Sequence, residues 1–433
     1  MSGGKIKIQD IAKELLMDTS WSTDLVFVES VDGFYTYQEN EGYFQHLSKV
    51  DMQREIIKIL HAKNLNLTPS TLNDLIHLMK ILAPARRRSL SSPFVAFKDA
   101  TLNLDTFNTH KTKTRDQFAT FYVPFSSSEM SKCSISRFLQ FLDEVLVDEE
   151  GRPSVELQEL VQQMFGFFLL PTLRPHTVFF LVGGGANGKS VLLKVLSALF
   201  SEHYTTYMTV EELTKNRFAA SELIGKKINI CNEEESRYFS MDRFKSLVSG
   251  DPIKVEQKYG QPFTLFPETK FIFATNNMPQ PDSLNYGIIR RTKIISFRKT
   301  FTPDMQDYSL TEKLLQELPG IFLWAIQGAK LLVDNQFRFI SGAESIKSQQ
   351  EVENEISSAV SYIREKYDID HDAFIANDDL YTDYRLWCDL NGRKPMNSKN
   401  FFKDLKTAFA LFEKRKQIDG QRRCGRTLSL KIL

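Results

Sequence analysis

The 433-residue sequence has little cysteine and lacks any long apolar run. Its four cysteines lie far apart without a CxxC pair, which indicates reduced thiols rather than disulfides, and the seven histidines show no metal-ligand spacing. No run approaches the ~20 apolar residues that a membrane span requires. The N-terminus has no apolar signal core, so we expect a cytoplasmic protein with no membrane partner.

Excess charge of one sign is also missing, because 55 Lys and Arg face 54 Asp and Glu. Any surface for nucleic acid must therefore be local. Residues 396–433 hold ten Lys or Arg against three Asp or Glu. A predicted helix at 398–412 and a Gly-containing basic hairpin at 414–426 are typical of a helix-turn-helix whose wing contacts duplex DNA. A basic tail that packs on the rest of the protein, or keeps it soluble, is the alternative.

The most informative stretch is residues 177–200. Residues 177–182 predict a buried strand, residues 190–200 have apolar side chains at helical spacing, and GGGANGKS between them fits the pattern GxxxxGK(S/T). Backbone N–H groups of such a loop bind phosphates, which side chains would obstruct. The sequence therefore predicts binding of ATP with Mg²⁺, with Lys189 on the phosphates and Ser190 on the metal. The expected nucleotide-binding residues are Gly183, Gly184, Gly185, Ala186, Asn187, Gly188, Lys189, Ser190 and Val191.

Two more strand patterns end in polar residues. Residues 226–235 run from a short β pattern into an acidic cluster, where Glu233 is the expected carboxylate for the metal shell and the attacking water. The alternative is a solvated helix that begins with glutamates. Residues 269–274 predict another buried strand, and Asn276 after it is expected to contact the γ-phosphate or the water.

Two basic features follow. Residues 253–265 predict a hairpin with Lys258 and Tyr259 at its tip, a pairing that suits single-stranded nucleic acid because lysine neutralises phosphate and tyrosine stacks. An ordinary surface hairpin is the alternative. Arg290 and Arg291 precede a strand at 292–297; they are either surface charge or the arginine that completes a neighbouring subunit's site in a ring ATPase.

Earlier in the chain the patterns predict structure rather than chemistry. The expected elements are a hairpin at 34–44, two helices within 51–82, strand residues at 94–107, a helix at 136–147 and a helix at 154–168.

The order of these motifs resembles the superfamily 3 helicases, and within them the C-terminal half of the phage, plasmid and poxvirus primase–helicases. The resemblance rests on GGGANGKS (183–190), INICNEEES (228–236), FKSLVSGDPIKVEQKYGQPF (244–263), FIFATNNMPQP (271–281) and GIIRRTKIISF (287–297). It extends to residues 51–175, which look like the helical segment before the motor, and to residues 345–433, which look like its winged-helix module.

The resemblance implies an α/β P-loop NTPase core of the AAA+-like type, assembled as a ring, usually of six subunits, around DNA. The implied domains are a mainly helical collar or oligomerisation domain at 51–165, the motor at 166–335 and a winged-helix DNA-binding domain at 345–433. Residues 1–50 have no assigned role. They are too few for a primase domain, so we expect no primase activity from this chain, and a separate primase is a candidate partner.

The resemblance also implies roles for single residues. Lys189 and Ser190 would hold phosphate and Mg²⁺, Glu233 would polarise the water, and Asn276 would be the sensor. Either Arg290 or Arg291 would be the finger that acts in trans. The residues expected to contact DNA are Lys245, Lys254, Lys258 and Tyr259.

The acidic segment departs from the family pattern. Asn229 interrupts the strand, and Asn232 stands where many relatives have an acid. The catalytic carboxylate therefore stays open among Glu233, Glu234 and Glu235.

Three functions remain. The first is an ATP-driven DNA helicase that moves 3′-to-5′ on single-stranded and forked DNA during replication of a phage, plasmid or other mobile element. The second is a sequence-specific replication initiator that binds origin duplex DNA through residues 345–433 and uses ATP as an assembly switch. The third is an ATPase that remodels protein partners.

Overall fold

The computed structural model describes residues 7–17, 24–83, 86–87, 90–235, 238–256, 262–276, 280–281, 291–370, 372–418 and 421–431. Lys258, Tyr259 and Arg290 lie outside these described residues. Within them, no helix combines the length and the apolar character needed to cross a membrane.

The first part of the chain packs helices on a small sheet. Its elements are α1 (Ile8–Met17), β1 (Leu25–Val28), β2 (Gly33–Gln38), β3 (Tyr43–Leu47), α2 (Lys49–Ala62), α3 (Pro69–Leu82) and β4 (Arg86–Arg87). The strand order is β3-β2-β1-β4, and β2–β3 is the hairpin expected at 34–44. Ser48 and Thr68 cap α2 and α3 by accepting a first-turn N–H. Since α1, β1, β2, α2 and α3 share one core, the expected boundary at residue 50 falls inside a packed unit.

The next part adds a second small sheet and the helices that flank the central one. Its elements are β5 (Phe94–Ala96), β6 (Thr101–Asn103), β7 (Asn108–His110), β8 (Phe121–Tyr122), α4 (Ser127–Met130), α5 (Ser136–Val145) and α6 (Val155–Leu169). The strand order is β7-β6-β5-β8. The stretch expected as strand residues at 94–107 is two strands, because the chain turns where the N–H of Phe97 donates to the Ala100 carbonyl over 2.8 Å. Residues 51–165 thus contain a sheet as well as helices.

A five-stranded parallel sheet forms the centre of the chain. The elements of this region are β9 (Val178–Val182), α7 (Lys189–Tyr204), β10 (Thr205–Thr206), α8 (Val210–Lys215), β11 (Ile228–Cys231), β12 (Tyr238–Phe239), α9 (Met241–Ser249), β13 (Ile253–Val255), β14 (Phe263–Leu265), β15 (Lys270–Thr275), β16 (Gln280–Pro281) and β17 (Thr292–Ser296). The sheet order is β10-β11-β15-β9-β17. Phe179 and Leu181 face the core that includes α6 and α7, whereas Val178 and Phe180 face the core that includes α8 and α9. Burial of both faces explains why the strands are almost wholly apolar.

Three further helices connect this sheet to the parts of the chain before and after it. They are α10 (Leu310–Gln316), α11 (Leu318–Asp334) and α12 (Ala343–Ile356). α11 runs against α6 at close range, because a Cβ at Gly166 or Gly328 would overlap the backbone of the opposite helix. α12 packs against β17, where the Ser296 and Ser348 hydroxyls lie 2.9 Å apart. α12 therefore ties the C-terminal part of the chain to the central sheet.

The C-terminal part has its own aromatic core. Its elements are α13 (Ser358–Lys366), β18 (Tyr367–Ile369), β19 (Ile375–Ala376), α14 (Asn377–Leu390), α15 (Ser398–Phe409), β20 (Lys414–Ile418), β21 (Gln421–Arg426) and β22 (Leu428–Leu430). Tyr362, Tyr384 and Phe401 are fully buried in that core. The helix expected at 398–412 is α15, and the basic hairpin expected at 414–426 is β20–β21. We call residues 357–431 the C-terminal module.

Candidate functional site

The carboxyl ends of the parallel strands meet at one edge of the central sheet, where α/β proteins commonly bind ligands. The glycine-rich loop, residues 183–188, follows β9; residues 232–235 follow β11; and Asn276 follows β15. These segments line one cleft of about 1000 Å³. Strand order thus brings together residues that are up to 93 positions apart in the sequence.

The glycine-rich loop is tightly packed at its two ends. A Cβ at Gly183 would overlap the Asn187 amide nitrogen and the Phe297 carbonyl oxygen. Gly188 has a φ of +92°, and a Cβ there would also press on the Val145 side chain of α5. Only glycine satisfies these constraints at positions 183 and 188. The loop therefore has no side chain at either end, and its backbone stays accessible from the cleft.

Lys189 begins α7 and is buried at this loop, with 6% of its surface exposed. Its ammonium donates to the Gly183 carbonyl at 2.5 Å and to the Asn187 side-chain oxygen at 3.1 Å. Burial lowers the pKa of Lys189. Both acceptors are neutral oxygens, so the site has positive charge to offer an anion. Ser190 is exposed in the first turn and also lines the cleft.

The glutamates of the acidic segment after β11 lie in two different environments. Glu233 and Glu235 are exposed toward the cleft. Glu234 is buried: its carboxylate accepts the N–H of Val210 at 2.7 Å, and its own N–H donates to the Ala274 carbonyl at 2.8 Å. Glu234 therefore holds the start of α8 against the sheet, which leaves Glu233 and Glu235 as the accessible acids.

Asn229, the residue that interrupts the apolar strand, has a structural explanation. It is fully buried, and its side-chain oxygen accepts from the Thr206 hydroxyl at 2.8 Å and from the Met208 N–H at 2.9 Å. Its side-chain nitrogen donates to the Met208 carbonyl at 2.9 Å. Asn229 thus supplies hydrogen-bond partners to the Met208 backbone where the edge strand β10 ends. This role cannot be predicted from the sequence unless the neighbouring strand is known.

Asn276 lies exposed at the cleft, directly after Thr275. The Thr275 hydroxyl donates to the Glu234 carbonyl at 2.8 Å, so the ends of β15 and β11 are tied together. The expected phosphate-binding lysine, the two accessible acids and the expected sensor therefore line the same cleft. Within the described residues, no group of three or more His, Cys, Asp or Glu is placed to hold a metal ion.

Two walls of the cleft carried no motif in the sequence. One is α5, which contributes Arg137, Phe141 and Glu144; the other is residues 301–311, which contribute Asp307 and Tyr308. They lie about forty residues before and about 120 residues after the glycine-rich loop. Apolar spacing in the sequence predicts the helix α5. No local pattern, however, places α5 or residues 301–311 beside the glycine-rich loop.

The residues expected to contact DNA lie away from this cleft, so far as they are described. β13 and β14 pair antiparallel, as expected for a hairpin, with Lys254 opposite Thr264. Lys254 is exposed, and Lys245 in α9 is partly exposed. The hairpin tip, with Lys258 and Tyr259, is outside the described residues.

Arg291 is half-buried at the start of β17. Its carbonyl accepts the N–H of Val178 at 2.9 Å, which places it at the amino-terminal edge of the sheet. The glycine-rich loop follows the carboxyl end of β9, about 16 Å away at ~3.3 Å per residue. Arg291 and its own cleft therefore lie at opposite edges of the sheet.

Comparison with known families finds two matching segments. Residues 355–424 match the family described as Poxvirus D5 protein-like, and residues 181–291 match a family of unknown function, DUF5906. A putative helicase of Acanthamoeba polyphaga mimivirus is 29% identical over 183 residues, which make up 40% of this chain and 19% of that protein. The match thus spans about a fifth of the length of this curated relative. Together these similarities relate the chain to D5-like viral helicases.

Two solved structures share the fold. Both are apo structures of the NrS-1 C-terminal region, each 13% identical, with a TM-score of 0.53 and coverage of 98% of this chain and 100% of the other. At this identity the likeness concerns the fold alone: a mixed α/β chain with a parallel sheet and many helices.

Proposed function

We propose that this chain is an ATP-dependent DNA helicase of the superfamily 3 type, with an AAA+-like P-loop NTPase core, that acts in replication of a viral or other mobile genome. The observation that carries the proposal is the position of Lys189: it sits at the first turn of α7, behind a loop open to phosphate, and shares a cleft with Glu233 and Asn276. The similarity to D5-like viral helicases supports the same function.

The cleft suits a magnesium nucleoside triphosphate. Backbone N–H groups of residues 183–188 and the Lys189 ammonium would bind the phosphates, and Ser190 with Glu233 would hold Mg²⁺. The metal would neutralise charge that develops on the phosphates. Glu233, with Glu235 as the alternative, would orient the attacking water, while Asn276 would contact the γ-phosphate.

The second half of the active site would come from a neighbouring subunit. Arg291 lies at the opposite edge of the sheet from its own glycine-rich loop. This position favours action in trans, for which a closed ring, usually of six subunits in the resembling family, supplies the geometry. Arg290 is the other candidate for this finger.

Strand movement would come from the β13–β14 hairpin. Lys254, which is exposed on β13, and Lys245 of α9 would contact one DNA strand together with Lys258 and Tyr259. The direction implied by the resembling family is 3′-to-5′ on single-stranded or forked DNA.

Lys189→Ala tests this function. We expect loss of at least about 100-fold in ATP hydrolysis, as for removal of one buried charge-stabilising donor, together with loss of strand displacement. Lys194→Ala is the matched control, since Lys194 is exposed on the same helix. ATPase and forked-DNA unwinding rates, measured at equal protein concentration, give the comparison. Unchanged hydrolysis in Lys189→Ala would rule out this cleft as the ATPase site.

A replication initiator remains the second candidate, favoured by the exposed basic strands β20 and β21. Removal of residues 345–433 would not test it cleanly. That cut falls inside α12 and removes Ser348, Lys347 and their contacts to Ser296 and Glu149. Substitutions on the exposed strands, described below, test the module without disturbing the central sheet.

A further inference from the structure

The cleft is longer than the glycine-rich loop and the acids beside it. It is also lined by α5, with Phe141 and Val145, and by residues 301–311, with Tyr308. Neither element belongs to the nucleotide motif. A triphosphate at the loop therefore leaves these two walls for the remainder of the ligand.

The wall that carries Tyr308 is fixed to the glycine-rich loop. The N–H of Phe301 donates to the Ala186 carbonyl at 2.8 Å. Beyond it, the Asp307 carboxylate accepts the Ser309 N–H at 3.0 Å and pairs with Lys313 at 2.7 Å. These contacts hold the backbone on both sides of Tyr308, so the ring is presented by a braced segment.

Tyr308 itself is 86% exposed. A large aromatic ring left in water forgoes the favourable free energy of burial, and a flat π surface at a ligand cleft is the kind of group on which a nucleic-acid base stacks. The α5 wall of the cleft includes the apolar side chains of Phe141 and Val145. An aromatic ring and apolar side chains suit a planar, uncharged group.

The walls of the cleft differ in charge. The glycine-rich loop offers N–H groups and the Lys189 ammonium, whereas α5 and residues 301–311 carry the carboxylates of Glu144 and Asp307. Lys313 and Ser309 hold the pKa of Asp307 at about 2, so this carboxylate stays ionised. Arg137 lies 3.3 Å from Glu144. Carboxylates repel phosphate, but they accept hydrogen bonds from ribose hydroxyls and base amino groups.

We propose that Tyr308 stacks on the base of the bound nucleotide, between residues 301–308 and α5. The inference rests on the proposed function and adds to it the orientation of the ligand: phosphates at Lys189, base at Tyr308. It also makes Tyr308 a residue that distinguishes nucleotides from phosphate chains without a base.

Isothermal titration of the full chain with MgATP and with magnesium tripolyphosphate, which has the phosphates but no base, tests the proposal. Tyr308→Ala should weaken ATP binding by about ten-fold, the value of one base–aromatic stack, and leave tripolyphosphate binding unchanged. Tyr308→Phe keeps the ring and should stay within about two-fold of the wild type by the same reasoning. Phe412→Ala, which removes an exposed aromatic ring of the C-terminal module, is the control.

The other outcomes contradict the proposal in distinguishable ways. Unchanged ATP binding in Tyr308→Ala would place the base elsewhere. Equal losses for ATP and tripolyphosphate would mean that Tyr308 shapes the cleft rather than contacts a base. Lys189→Ala should lose both ligands; if the wild type binds neither, the proposed function fails together with this inference.

Discussion

The strand ends around the cleft and the exposed strands of the C-terminal module use polar residues in opposite ways. In and beside the central sheet, Asn229, Glu234 and Lys189 are buried, and each makes hydrogen bonds of 2.5–3.1 Å to its own partners. On β20 and β21, Arg415 and Arg422 are exposed, and Arg415 lies 3.8 Å from Glu413.

The difference predicts two kinds of response to mutation. A buried polar group stabilises the fold through hydrogen bonds to specific partners. Removal of one partner leaves the other without a hydrogen bond and lowers the free energy of unfolding. An exposed cationic strand contributes to DNA binding through its total charge. Removal of single charges should therefore weaken DNA binding gradually, and the loss should depend on salt concentration.

The neighbouring glutamates give the largest contrast. We expect Glu233→Ala to reduce ATP hydrolysis by about 100-fold without changing stability, because Glu233 is exposed at the cleft. Glu234→Ala leaves the Val210 N–H without its acceptor and should lower the free energy of unfolding by ~1–3 kcal/mol. ATPase rates and urea unfolding of both variants check the pair.

Glu235→Ala is the companion variant. If it alone loses hydrolysis, the catalytic role belongs to Glu235 instead of Glu233. If Glu234→Ala unfolds at the same urea concentration as the wild type, the structural role given to Glu234 is wrong.

The stability of the C-terminal module should depend on pH. Asp404 on α15 is buried, its carboxylate accepts the Ser357 hydroxyl at 3.1 Å, and burial raises its pKa from 3.8 to about 6. The folded state therefore favours the protonated carboxyl. Stability from this group is complete below pH ~4 and is lost as pH rises through ~6, a change of up to ~3 kcal/mol for two pKa units.

Asp404→Asn isolates this effect, because an amide stays neutral. We expect the variant to exceed the wild type in free energy of unfolding at pH 7.5 by ~1–3 kcal/mol and to match it near pH 4. Urea unfolding followed by tryptophan fluorescence measures both. A constant difference across this pH range would show that Asp404 does not titrate as described.

The smallest effect per residue is expected on the basic strands. The triple variant Arg415→Ala, Lys416→Ala, Arg422→Ala should weaken duplex DNA binding and reduce the slope of log affinity against log salt by about one for each lost phosphate contact. Its stability should stay within ~0.5 kcal/mol of the wild type, since the three side chains are exposed.

A control with the same change in net charge is Lys49→Ala, Arg54→Ala, Lys58→Ala on α2, whose side chains are also exposed. It should leave the salt slope unchanged. Equal losses in both triples would mean that net charge, rather than these strands, governs DNA binding, and would remove the observation that favours an initiator.

Local pattern predicted much of the secondary structure. The strand, loop and helix of residues 177–200 occur as β9, the glycine-rich loop and α7, and Ile253–Val255 pairs antiparallel with Phe263–Leu265, as expected for a hairpin. Apolar spacing and glycine content are properties of a few adjacent residues, so they are readable without a fold. The alternating pattern at 94–107 did not show that the chain turns between Ala96 and Thr101, because the turn depends on the pairing of β5 with β6.

By itself, the sequence determined which segments can bind phosphate, where acids follow a strand and which end of the chain is basic. Tertiary structure alone decided that Glu234 turns inward to Val210, that Asn229 closes the edge of the sheet, and that Tyr308 joins the cleft. The physical reason is the strand order β10-β11-β15-β9-β17: pairing between strands far apart in the chain chooses each side chain's neighbours, and those neighbours decide whether a polar group supports the fold or faces a ligand.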